Sequence, residues 1–241
     1  MRTRSASVLG ASLALFLGVV PVTGAPAAFA TSARVCDGTI GNVVVDRLEV
    51  PEGATCRLHG TTVRDSVDVE EGGRLIARDA MIDGDVHATE GPRTVRLLDT
   101  EVSGNIHVRR ATGPVVIGNA GCRVDPVAGG NIALVHNSGD IAVCQMSIRG
   151  NLHLIRNSGR IGVFANRVGN NLHARENTGA ITRLRRNRVG TSGSGNMEVR
   201  DNAGSVRVHR NRVASQLVCR GNAEVRDIRN AAGGGMRHQC A

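Results

Sequence analysis

The chain has no Trp, no Tyr and only three Phe in 241 residues, and it has no Lys, so all thirty basic residues are Arg. Two of the three Phe lie in the first thirty residues, leaving Phe164 as the one aromatic platform beyond them. Proteins that hold single-stranded nucleic acid stack bases on aromatic faces, and sugar-binding clefts use the same faces. A nucleic-acid partner is therefore disfavoured. No nucleophile elbow, phosphate loop or His-Glu-x-x-His pattern occurs, which removes the sequence signatures of several enzyme classes. Helical spacing of apolar residues is also missing, and the frequency of Gly and Asn would penalise a helix.

What is present is a repeat. Gly150 to Gly190 contains one phrase twice, Gly-Asn-Leu-His followed after about twenty residues by Asn-Asn-Leu-His. A fixed period of this length marks a solenoid. Aligning the Gly-Asn-apolar step along the chain selects Val43, Val67, Val86, Ile106, Ile132, Leu152, Leu172, Met197 and Leu217. The longer gaps carry turn-rich insertions at 125–129 and 191–194, which a solenoid places in loops.

Within each repeat the apolar period is two. Leu152 and Leu154 alternate with His153, and Ile161 and Val163 with Gly162. Such alternation, bounded by Gly and Asn, predicts short strands with one buried face. A third short run ends at Val63, Ile82, Val102, Ile148, Val168, Val189 and Val213. Three strands and three bends per repeat predict an all-β, right-handed parallel β-helix of about nine coils of roughly 20 residues. At a strand spacing of about 4.8 Å the rod is roughly 40 Å long. Asn137, Asn157, Asn177, Asn202 and Asn222 share one bend, and Asn166, Asn187 and Asn211 another. Asn tolerates left-handed backbone, and stacked amides form ladders.

Residues 1–30 read as a signal peptide, with Arg2 and Arg4, an apolar run from Val8 to Val20, and Ala28-Phe29-Ala30 as the cleavage site. The run is short for a membrane span. The expectation is a secreted, extracellular protein with one β-helix domain over 31–241. The six cysteines are Cys36, Cys56, Cys122, Cys144, Cys219 and Cys240. Consecutive pairs are one coil apart, so stacking predicts Cys36–Cys56, Cys122–Cys144 and Cys219–Cys240, the outer two stapling the ends.

Several stretches resemble secreted right-handed β-helix proteins of actinobacteria. These are Cys36-Asp37-Gly38-Thr39-Ile40-Gly41, Val50-Pro51-Glu52-Gly53-Ala54-Thr55-Cys56, the repeated Gly-Asn-Leu/Ile-His, and the Gly-rich tail ending in Gln239-Cys240. The resemblance covers about residues 36 to 240 and implies fold and export. It adds no active site, because that group is functionally uncharacterised. More distantly the repeats are similar to pectate-lyase-like β-helices and to polymer-forming bactofilins.

Charge divides along the chain. Residues 36–105 hold 14 acidic residues and 7 Arg, a net of −7, and residues 106–241 hold 7 acidic residues and 20 Arg, a net of +13. A solenoid maps this onto an acidic and a basic end, which permits head-to-tail self-association. The basic half, with Arg156, Arg175, Arg183, Arg185, Arg186 and Arg188, is the candidate surface for a cell-wall anionic polymer or polysaccharide. His87, His107, His153 and His173 share one outward position, split into two pairs by Ala133, and are the candidate metal ligands. A pair of His falls short of the four ligands structural zinc uses, and no cofactor is expected. Asp65, Asp68, Asp83 and Asp85, with Arg64 and Arg78 nearby, are the residues a carbohydrate-active enzyme would need. The expected role is a non-catalytic structural or binding rod, with a pectate-lyase-like enzyme or a carbohydrate- or polyanion-binding module as the alternative.

Overall fold

The computed structural model describes residues 33–118 and 126–241. These form a parallel β-solenoid of about ten turns, without helix, built from three stacked sheets. The first sheet has eleven strands, from Arg34–Val35 and Leu48–Val50 to Met236–His238. The second and third sheets have ten strands each, beginning at Gly38–Ile40 and Val44–Val45. Every strand pairs with its equivalent one turn away. Among the described residues no helix is long and apolar enough to cross a membrane. The expected signal peptide lies outside the described residues.

The alternating pattern builds the core directly. Strand Leu152–Ile155 has Leu152 and Leu154 fully buried, with His153 and Ile155 outward. In the first sheet, Leu48, Val67, Val86, Ile106, Ile132, Leu152, Leu172, Met197 and Leu217 stack in register and are fully buried. Burying a side chain of this kind contributes about 1.5–3 kcal/mol. The third-sheet residues from Val63 to Val213 also occupy one column, and Ala128 fills the rung between Val102 and Ile148.

Two corrections concern the ends. Val43 does not belong to the first column. It is 46% exposed, just before strand Val44–Val45 of the third sheet, and Leu48 holds the rung instead. Gly41-Asn42-Val43 copies the dipeptide but lies at a different corner, where the Gly41 carbonyl accepts a hydrogen bond from Thr61 Oγ1 at 2.8 Å. At the other end strand Met236–His238 adds a rung below Leu217. The solenoid therefore has about ten turns where the Gly-Asn step counts nine.

The Gly-Asn step has a steric basis. A Cβ on Gly150 would lie 2.5 Å from Asn131 Oδ1, and one on Gly130 would lie 2.4 Å from Asn105 Oδ1. At these two coils the Asn side chain of the preceding coil occupies the space a Cβ would take, whereas Asn170 and Ser215 hold the equivalent position in later coils. Cys36–Cys56 and Cys219–Cys240 form disulfides in the terminal coils, each with Cα atoms 5.3 Å apart. The expected Cys122–Cys144 pair involves Cys122, which lies outside the described residues. Cys144 sits on the outward face of the second sheet, in register with Phe164.

Candidate functional site: an arginine-lined edge

Three amide ladders set the corners and so fix where the outward side chains point. In the first, each Asn donates its backbone N–H and its Nδ2 to Oδ1 of the Asn one coil onward. Asn137 reaches Asn157 at 2.9 and 3.0 Å, and the series continues through Asn177 and Asn202 to Asn222. The second Nδ2 hydrogen goes to a backbone carbonyl of the coil before, as from Asn157 to Leu134. A second ladder of the same polarity joins Asn166, Asn187, Asn211 and Asn230. A third runs through Asn105, Asn131, Asn151, Asn171 and Asn196 with opposite polarity, and Asp85 closes its acceptor end. The amide bonds from Asn105, backbone first, hold the Asp85 carboxyl below its ordinary range.

Left-handed backbone was expected at the Asn residues. It falls instead on the residue before each: His136, Arg156, Glu176 and Asp201 on the first ladder, and Ala165, Arg186, Arg210 and Arg229 on the second, with φ between 54° and 57°. This conformation turns the Asn amide into the core and leaves the preceding side chain outside. Arg186, Arg210 and Arg229 therefore line one corner of the prism.

Arginines from the two adjoining sheets gather at that corner. On the second sheet Arg183, Arg207 and Arg226 stack in register. On the third sheet Arg167, Arg188 and Arg212 do the same. Arg185 stands beside His209. The rungs are about 4.8 Å apart. Arg226 pairs with Glu224 at 3.3 Å. Among the described residues no carboxylate makes an ion pair with Arg183, Arg185, Arg186, Arg188, Arg207, Arg210, Arg212 or Arg229. The His209 imidazole registers this field: desolvation first, then Arg210, Arg185, Arg229 and Arg186, hold it below the ordinary His range. Beside the corner, Arg188 and Arg212 line a shallow depression of about 350 Å³ whose other lining includes Gly190, Ala214 and Thr191 of the 191–194 insertion.

The six arginines singled out from the sequence thus separate. Arg183, Arg185, Arg186 and Arg188 belong to this edge. Arg156 and Arg175 lie elsewhere: Arg156 Nε bonds Glu176 at 2.7 Å on another corner, and Arg175 is 3.9 Å from Glu198 on the first sheet. Arg207, Arg210, Arg212, Arg226 and Arg229 complete the edge and were not singled out. The recurring Arg-x-His/Arg-Arg-Asn-Arg pattern of 183–188 and 207–212 was the signal that could have found them.

The His column forms as expected. His87 and His107 stack with ring centroids 5.8 Å apart, His153 and His173 with centroids 5.1 Å apart, and Ala133 lies in register between the pairs. His87 Nε2 lies 3.6 Å from Asp85. Nδ1 of His153 and of His173 is buried without a hydrogen-bond partner. No group of three or more His, Cys, Asp or Glu converges as a metal site among the described residues. Three of the four acidic residues considered for catalysis are engaged locally, Asp68 with Arg47 at 2.8 Å, Asp85 in the ladder, and Asp65 with Ser66 Oγ at 3.2 Å, while Asp83 is exposed. Arg64 pairs with Asp46 at 3.4 Å. The chain matches no family model, no curated protein and no solved structure.

Proposed function

We propose that the protein is an exported, non-catalytic rod that holds an anionic polymer along its arginine edge. The observation that carries this reading is the in-register stacking of arginines at 183/207/226 and 188/212, with Arg186, Arg210 and Arg229 at equivalent corner positions between them and almost no carboxylate among them. Like charges facing each other across paired strands destabilise a sheet. A polymer with regularly spaced negative groups removes that repulsion and gains bidentate guanidinium contacts. The two disulfides are consistent with an oxidising, extracellular setting.

The test is titration of the intact, oxidised protein with polyanions over a range of salt. Binding should weaken as salt rises, because the arginines displace condensed counter-ions. Reversing charge at two exposed corner positions, Arg186→Glu with Arg210→Glu, should lower affinity at least about tenfold. Absence of binding at low salt, or a variant that binds as tightly as the parent, overturns the reading.

A second reading, head-to-tail self-association, is favoured by the exposed apolar residues at the two ends of the described solenoid. These are Val35 and Val44 at one end, and Ile228 and Met236 at the other. They add to the −7/+13 division of charge. Salt-sensitive oligomers in light scattering support it, and a monomer under all conditions sinks it.

A further inference from the structure

The arginine column of the second sheet is interrupted. In register it reads Arg96, Val116, Ala142, Gly162, Arg183, so three small or apolar residues separate two arginines. Phe164 sits at the margin of this strip, two residues beyond Gly162 on the same outward face. Its ring lies across the glycine: a Cβ at Gly162 would be 2.5 Å from Phe164 Cε2 and 2.9 Å from Cζ. The Cε2–Cζ edge of the ring therefore fills the space that a side chain at 162 would take. Together with Asp140, Arg160 and Arg183, the strip and the ring line a shallow depression of about 240 Å³. Asp140 Oδ1 accepts the Arg160 backbone N–H at 2.9 Å, leaving its second oxygen for another donor.

We infer that the polymer held along the arginine edge is an acidic polysaccharide, with one sugar ring seated on Phe164 and the Val116–Ala142–Gly162 strip. This rests on the polymer-binding reading and adds a ligand class to it. A polyanion without rings is served by guanidinium groups alone, and an apolar break in the column gives it nothing. A pyranose ring presents an apolar C–H face, which suits a flat aromatic and hydrocarbon floor. Its hydroxyls suit Asp140, and a carboxylate on the ring or its neighbour suits Arg160 or Arg183. The same side of the solenoid thus offers both contacts an acidic sugar requires, with the Arg183–Arg207–Arg226 column continuing for the next acidic units.

The test compares two probes on the intact protein, oligogalacturonate and inorganic polyphosphate of matched charge, by calorimetric titration. Phe164→Leu should weaken oligogalacturonate binding about five- to tenfold and leave polyphosphate binding unchanged. The corner variant Arg186→Glu with Arg210→Glu should weaken both. If the parent binds polyphosphate while Phe164→Leu leaves oligogalacturonate affinity unchanged, or weakens both probes equally, the polysaccharide assignment fails and the arginine reading stands. If the parent binds neither probe, both fail. Should Phe164→Leu lose its cooperative melting transition, Ala142→Gln, which raises a polar side chain on the strip, carries the same comparison.

Discussion

Gln239 closes the first amide ladder by bonding Asn222 three times. The Asn222 backbone N–H and Nδ2 donate to Gln239 Oε1 at 3.0 and 3.1 Å, and Gln239 Nε2 donates to the Asn222 carbonyl at 2.8 Å. Each ladder has a polarity, so its last amide hydrogens need an acceptor that belongs to no further Asn. Gln239 serves at one ladder end, Asp227 receives Nδ2 of Asn230 at a second, and Asp85 serves at the third. Burial is the leading influence on the Asp227 carboxyl and pushes it above its ordinary range, with the Asn230 bond opposing.

Inside a ladder the same logic makes acid the wrong residue. Asn157→Ala leaves the amide hydrogens of Asn137 without their acceptor and should lower unfolding free energy by roughly 3 kcal/mol. Asn157→Asp should cost more than Asn157→Ala, because a carboxylate brought against Asn177 Oδ1 and the Leu134 carbonyl has nothing to donate. Chemical denaturation of the two variants checks the order. An aspartate variant as stable as the parent would refute the donor assignment.

The two Gly-Asn dipeptides at 41–42 and 150–151 should respond differently to the same change. Gly150→Ala places a methyl 2.5 Å from Asn131 Oδ1 and 2.8 Å from the Gly130 carbonyl. It should destabilise by about 1–3 kcal/mol, as overpacking does. Nothing lies within 4 Å of a Cβ at Gly41, so Gly41→Ala should change the melting midpoint little. Equal losses would mean that the ladder does not set the glycine requirement.

The inner His pair should make the solenoid acid-sensitive. Burial, followed by the charge of Arg175, holds His153 below the ordinary His value. His173 is lowered first by burial, then by His153 and Arg175, with Glu198 opposing. The unfolded chain then binds more protons than the folded one in mild acid. The contribution is therefore complete above the ordinary value of about 6.5 and is lost as pH falls below it through the lowered folded values. Melting midpoints should drop between pH 7.5 and pH 5, and His153→Gln with His173→Gln should flatten that drop. An unchanged slope in the double variant would assign the effect to other groups.

Removing the C-terminal staple should loosen the last coil. Cys219→Ser with Cys240→Ser opens a link across 21 residues, for which a cost of about 3 kcal/mol is expected. Because Gln239 adjoins Cys240, its bonds to Asn222 should weaken too. Hydrogen exchange should quicken at the amides of Asn222 and of 224–241 before it does at 150–180. Uniform acceleration along the rod would show that the coils open as one unit.

Much of this architecture was legible from a short list of residues. Leu152, Leu154, Ile161, Val163 and Val168 announce three strands and a period, and parallel stacking follows because each coil must cover the next. Cys36–Cys56 and Cys219–Cys240 follow from the same spacing. The first coil was misread because Gly41-Asn42-Val43 matches the repeat in residue type, while membership of a column depends on what lies one coil away. The backbone strain was assigned to Asn and belongs to its neighbour, as at Arg186 and Asn187, since the sequence does not say which of two adjacent residues turns left-handed. The arginine edge was seen in part, because Arg183 and Arg207 become neighbours only once the 191–194 insertion is looped out.

The translational sameness of the ladders has a consequence for how such a chain can change length. Asn157 makes to Asn177 the bonds that Asn137 makes to Asn157. A tandem duplication of one coil between them would restore every severed bond with an identical one. The ends, with Gln239, Asp227, Asp85 and the two disulfides, would be untouched. A gene of this design can lengthen or shorten its reach by copying whole coils while the chemistry that closes the ends is inherited unaltered.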